Sequence, residues 1–198
     1  MNYDEKYITE SYLLGKSQKE LATELGTYNT SIRRILLRNG VIPRTSYEAQ
    51  ERYVTNNFLL NNHYWLGMLA ADGCVMGNTT IVLQLQKKDS QLLEEFCIAS
   101  KSKKLKVNSY NNSTYNIKEY YVKFKNKEIV EYLYSLGIVK KKSLIFNYKG
   151  EINWEFFRGY FDGDGSIGLY GKNKTQGRIT IVSGSPYILP KLQTFLAE

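Results

Sequence analysis

Histidine is almost missing from this sequence, with His63 the single one in 198 residues. That count excludes chemistry built on a histidine pair and zinc sites made from several histidines and cysteines. Cysteine is nearly as scarce. Cys74 and Cys97 form no CxxC pair, and two isolated thiols suit a reducing, cytoplasmic setting (a bacterial, phage or organellar interior) better than a disulfide framework. No run of roughly 18 apolar residues occurs, and Met1 to Gly15 lacks the basic start and continuous apolar stretch of a secretory leader, so no membrane association is expected. Acidic residues are outnumbered, 19 Asp+Glu against 27 Lys+Arg, which leaves a net charge of +8. Such a surplus suits a polyanion whose counterions are released on binding, nucleic acid foremost; a merely lysine-rich surface is the alternative.

Apolar residues make up 42% of the chain and charged ones 23%, the usage of an ordinary folded protein with a core of its own. Near the N-terminus, Tyr7, Ile8, Tyr12 and Leu13 recur at helical spacing from Tyr3 to Gly15. Ser17 followed by Glu20 reads as a capping box that opens a second helix through Leu25, which Gly26 ends. Asn29 or Thr30 is expected to cap a third helix, Ser31 to Arg38, with Ile32, Ile35 and Leu36 inward and Gly40 as its stop. The last two helices match a helix-turn-helix, with Ala22 small at the crossing and Gly26 at the turn. That reading places Tyr28, Asn29, Thr30, Arg33 and Arg34 nearest to bases and phosphates, with Arg38 holding the DNA backbone. A small three-helix bundle with a solvated basic face is the other reading of the same stretch.

A helix-turn-helix domain is expected over residues 1–42 and a linker over 43–52, where Pro43 interrupts the periodicity. A first repeat is expected over 53–150 and a partial second one over 151–198. Within the first repeat the pattern predicts an apolar helix from Asn57 to Asp72, an alternating strand from Thr79 to Gln86 and a helix from Gln91 to Ser100. Strands follow at Lys104 to Ser109 and Tyr120 to Lys125 around an Asn-rich turn, then a helix from Glu128 to Leu136. Tyrosines 110, 115, 120 and 121 are read as packing residues first and as nucleic-acid contacts second. The second repeat is expected to hold a strand at Arg178 to Val182 and a helix near Pro186 to Leu196.

The most informative feature is a repeated motif, Trp65-Leu-Gly-Met-Leu-Ala-Ala-Asp72-Gly73 and Phe157-Arg-Gly-Tyr-Phe-Asp-Gly-Asp164-Gly165. In each copy a glycine precedes the Asp-Gly pair by five positions and a small residue stands just before the Asp. Gly67 with Ala71, and Gly159 with Gly163, therefore lie on one face of their helices, where two helices can meet at nearly backbone contact. Both helices end with a carboxylate, so Asp72 and Asp164 come side by side where the helix dipoles add partial negative charge. A bare site of this kind repels DNA. Hard divalent cations, Mg²⁺ above all, turn it into a grip on scissile phosphates through carboxylate, backbone carbonyl and water oxygens, which makes Asp72, Asp164, Ala71 and Gly163 the metal-binding positions. Asp162 has no carboxylate counterpart, because Ala70 occupies that place, and is read as structural.

These two motifs resemble those of the LAGLIDADG homing endonucleases in the two-motif, single-chain form, over Asn57 to Glu198. The resemblance implies an α+β fold in which an αββαββα unit follows the three-helix segment, with the second unit incomplete. It implies a site-specific, Mg²⁺-dependent DNA endonuclease that hydrolyses phosphodiester bonds of double-stranded DNA, without a small-molecule cofactor. The motif helices would form a pseudo-twofold interface and Asp72 and Asp164 would ligate the metals. Gln84 and Lys142 are similar in position to residues that line the family's water pocket, and Gln86 to a DNA-facing strand end; phosphate contact from the Lys140 to Lys142 run is the competing role. Residues 165–198 are too few for a complete second unit, so the chain is expected to be a fragment, monomeric in its longer form and dimer-completed if naturally short. Two further readings share these features: a DNA-binding regulator and an RNA-splicing cofactor, each keeping the fold without cleavage.

Overall fold

The computed structural model describes residues 3–45, 48, 56–102, 105–171 and 175–197. Two compact units emerge, Met1–Ala49 and Gln50–Glu198.

In the first unit, helix α1 (Glu5–Leu13) is capped by Asp4, whose carboxylate accepts from the Tyr7 amide. Helix α2 (Gln18–Glu24) opens with the full capping box: Ser17 accepts from the Glu20 amide while the Glu20 carboxylate accepts from the Ser17 amide. Helix α3 (Asn29–Arg38) starts earlier than its sequence suggests. Tyr28 is the N-cap, in extended conformation and with no side-chain cap bond, so neither Asn29 nor Thr30 plays that part. Gly26 makes the turn at φ +60°, a conformation that a side chain rarely adopts. Ile8, Tyr12, Leu21, Ala22, Ile32, Ile35 and Leu36 bury together as the core. The expected linker falls mostly outside the described residues, but Arg44 is not free: its amide donates to the Tyr12 hydroxyl, its guanidinium lies 3.8 Å from the Tyr12 ring centroid and it donates to the Lys16 carbonyl at 2.6 Å.

The second unit begins with α4 (Asn56–Leu60) and α5 (His63–Ala71), two helices where the apolar pattern reads as one. Asn61 and Asn62 separate them. Asn62 sits at φ −139° as N-cap of α5, outside helical geometry and without a side-chain cap bond. Strands β1 (Gly73–Met76) and β2 (Thr80–Gln86) form a hairpin, followed by a 3-10 turn and α6 (Ser90–Ala99). Strand β3 (Asn108–Asn112) lies further along than expected: Leu105 to Val107 are not strand, Lys104 is outside the described residues, and the asparagines themselves pair with β4 (Ile117–Lys125), as Asn111 with Lys118 and Asn112 with Ile117. Pairing to a formed neighbour outweighs the low strand preference of asparagine. Helix α7 (Lys127–Ser135), capped by Asn126, completes the α-β-β-α-β-β-α order.

The four strands are antiparallel in the order β1-β2-β4-β3. Ile81, Leu83 and Leu85 of β2 point inward beside Val122 and Phe124 of β4, while Gln84 and Gln86 point to solvent. Against the inner face pack Leu93 and Phe96, and Phe96 meets Phe58 and Trp65 edge-on at 5.3 and 5.2 Å. A second α-β-β-α run follows: α8 (Trp154–Asp164), the hairpin β5 (Gly165–Tyr170) with β6 (Gln176–Ile181), and α9 (Ile188–Ala197). The mixed α+β content with antiparallel sheets is the expected class. Among the described residues no helix is long and apolar enough to cross a membrane.

Candidate active site

The site starts from glycine. Helices α5 and α8 lie against one another, and a Cβ at Gly67 would fall on the Phe156 carbonyl and within 2.8 Å of the Tyr160 amide nitrogen. A Cβ at Gly159 would fall on the Tyr64 carbonyl, and one at Gly163 on the Ala71 Cβ, 3.0 Å from an Asp72 carboxylate oxygen. The four small interface residues thus let the backbones touch. Side chains lock the crossing from outside: the Tyr64 hydroxyl donates to Asp162 at 2.8 Å, and the Arg158 guanidinium stands 4.7 Å from the Tyr64 ring centroid. Asp162 is therefore a clasp between the helices.

At the C-terminal ends of this pair stand Asp72, the residue after α5, and Asp164, the last residue of α8, both half-buried. Burial pushes the Asp72 carboxyl up to about 6; the Asp164 charge adds to the rise and Lys142 opposes it. Asp164 is also raised by burial, against a hydrogen bond from Tyr160 and the Lys142 charge. Two carboxylates here resist being charged together unless a cation joins them.

Lys142 supplies one. Its ammonium donates to the Ala71 carbonyl at 2.9 Å and the Gly73 carbonyl at 2.6 Å, so it caps the end of α5 where the dipole favours positive charge. Burial pulls its pKa down and the two aspartates push it back up. The segment after α7 brings it there: Ile138, Phe146 and Tyr148 are buried, the Lys149 amide donates to Leu136, and the Ser185 hydroxyl donates to the Phe146 carbonyl at 2.6 Å. Lys142 also lines a cavity of about 140 Å³ with Asp164, Tyr160, Phe146, Ser143 and Ser183, roomy enough for several waters.

Of the expected site residues, Asp72, Asp164, Lys142, Ala71 and Gly163 come together. Gln84 is engaged elsewhere, donating to the Glu119 carboxylate on the solvent face of the sheet, and Gln86 is on the same face. Tyr160 was not among the expected residues. Its hydroxyl, buried and raised in pKa, donates to Asp164 and accepts from Ser183. The signal was present one motif position after each interface glycine, where Tyr160 stands in place of Met68.

The first unit carries its own expected contacts. Tyr28, Asn29, Thr30, Arg33 and Arg34 are exposed at the start of α3. Arg38 is tied at 3.1 Å to Glu5 of α1, though two-thirds of its side chain remains exposed.

The LAGLIDADG-like domain profile matches residues 151–198, which hold α8, Asp164, β5, β6 and α9. Over these residues the chain is similar to the LAGLIDADG family. No curated protein sequence matches the chain. The donor set at the carboxylate pair tests whether a metal fits there. Among the described residues no cluster of three or more His, Cys, Asp or Glu side chains gathers. Two carboxylates beside a water-sized cavity nevertheless fit a hard cation such as Mg²⁺, which keeps several waters and takes the remaining oxygens from a bound phosphate. The Ala71 carbonyl has one of its two acceptor positions taken by Lys142.

Proposed function

We propose that this protein is a site-specific endonuclease of double-stranded DNA, dependent on Mg²⁺ held between Asp72 and Asp164. The observation that carries the reading is the pair of carboxylates at the ends of helices in backbone contact, with Lys142 bonded beside them. A divalent cation bound there supplies Lewis-acid polarisation of the scissile phosphate and a more acidic water. The chain's own groups do the rest. Asp72 and Asp164 hold the charge that the cation answers, and Tyr160 fixes the Asp164 carboxylate by a hydrogen bond. Lys142, facing the same cavity, stabilises negative charge that grows on phosphate oxygens and orders a water for attack. Helices α2 and α3 act as the helix-turn-helix, with Arg33 and Arg34 in the major groove and Arg38, braced by Glu5, on the DNA backbone.

The test is digestion of a randomised plasmid library with purified protein, in Mg²⁺ and in EDTA, with sequencing of the ends. Mg²⁺-dependent breaks concentrated at one motif support the proposal. Equal patterns with and without metal, or no breaks alongside firm DNA binding, refute it.

A further inference from the structure

The two carboxylates of the site are held in different ways. Tyr160, buried in α8, bonds to Asp164, whereas the matching place in the α5 motif is Met68, which has no proton to give. The Tyr160 hydroxyl in turn meets Ser183, in the loop between β6 and α9, and both side chains line the same cavity as Asp164. That loop is anchored along its length. The Val182 amide donates to the Asp164 carbonyl at 3.5 Å, and the buried Ser185 hydroxyl donates to the Phe146 carbonyl at 2.6 Å. Gly184 lies so close to the segment after α7 that an added Cβ would stand 2.9 Å from the Ser143 carbonyl oxygen. The Ser185 amide donates to the Ser183 hydroxyl oxygen at 3.2 Å, which fixes that oxygen in place.

We propose that Ser183 is a positioning residue which acts through Tyr160 to hold the Asp164 carboxylate ready for the divalent cation. The inference rests on the endonuclease reading above. Hydrogen-bond direction carries it, because a hydroxyl has a single proton to donate. Ser183 accepts from the Ser185 amide and gives its own proton to the Tyr160 oxygen, so the one proton of Tyr160 goes to Asp164. The bonds therefore run one way, from a backbone amide through two hydroxyls to a carboxylate oxygen, and each polarises the next. Hydrogen-bond partners of this kind orient the carboxylates that hold a metal, and losing one costs roughly ten- to a hundredfold in metal affinity. Met68 gives Asp72 no counterpart. Lys142 instead bonds the carbonyls on either side of Asp72 and sets a positive charge there, which orders the backbone and repels a cation.

Mn²⁺ binding to the DNA-free protein, followed by the electron paramagnetic resonance of the free ion, tests this. The proteins compared are the wild type, Ser183→Ala, Ser183→Thr, Tyr160→Phe and the double variant Ser183→Ala with Tyr160→Phe. Tyr160→Phe is expected to weaken binding about tenfold and Ser183→Ala, which leaves the Tyr160 bond to Asp164, about threefold. Ser183→Thr keeps the hydroxyl and restores most of the affinity. The double variant binds no more weakly than Tyr160→Phe, because Ser183 acts through the phenol. In cleavage of the target found by library digestion, the weakened variants need more Mg²⁺, and their deficit narrows as Mg²⁺ saturates. Ser183→Ala binding Mn²⁺ as the wild type does, losses that add in the double variant, or a Ser183→Thr as weak as Ser183→Ala each overturn this inference alone. A wild type that binds no Mn²⁺ and cuts no DNA overturns it together with the endonuclease reading.

Discussion

Lys142 donates to the carbonyls on either side of Asp72 from some seventy positions along the sequence, and its charge opposes the rise that burial gives both aspartates. A pH effect follows from Asp72. Folding raises its pKa, so the native state holds the proton more tightly than the unfolded chain. Its contribution to stability is present at low pH and is lost as pH rises through about 6. Urea unfolding in EDTA from pH 5 to 7.5 is expected to show the wild type losing stability relative to Asp72→Asn over that interval, and saturating Mg²⁺ is expected to cancel the loss. A difference that does not change with pH removes the assignment of a strained carboxylate. Both aspartates are readable from the repeat, since Asp-Gly after a five-residue glycine spacing has few other uses. Lys142 is readable only through family resemblance, because nothing local shows that the Lys140 to Lys142 run folds back. Tyr160 and Ser183 escape a linear reading for a shared reason: a phenol in an apolar helix and a hydroxyl in a loop take their roles from partners on other elements.

The helix pair is the element on which the site depends. Gly159 allows α5 and α8 to meet at the Tyr64 carbonyl, and an added methyl has only backbone to push. Gly159→Ala is expected to cost at least about 1–3 kcal/mol by forcing the helices apart, read from the midpoint of urea unfolding, and to weaken metal-dependent cleavage further. A variant as stable and active as the wild type contradicts the close crossing. Elements with one dry face were legible: β2 alternates Ile81, Leu83 and Leu85 with Gln84 and Gln86, and the inner set is buried. Elements set by partners were not. Strand β1 has four residues and no alternation long enough to read, and β3 runs through asparagines that only pairing with β4 keeps extended. The break at Asn61 and Asn62 is hidden from an apolar count because both flanking helices are apolar.

For the whole molecule, the charge of +8 and the arginines of α3 set the expected behaviour with DNA. Affinity for duplex DNA is expected to fall log-linearly with salt, and Arg38→Ala, which removes the contact to the DNA backbone, to reduce the slope by about 0.9. An unchanged slope takes Arg38 off the DNA backbone. The chain divides after Ala49, and Arg44 joins the first unit through Tyr12 and Lys16.

Whether the carboxylates at the helix ends cut DNA is decided by cleavage of the selected target in Mg²⁺ by the wild type and by Asp72→Asn, with DNA binding followed in parallel. Cleavage reduced roughly a thousandfold or more, equivalent to about 4 kcal/mol of transition-state stabilisation, with binding retained, is the predicted result. Cutting by Asp72→Asn at the wild-type rate contradicts the account.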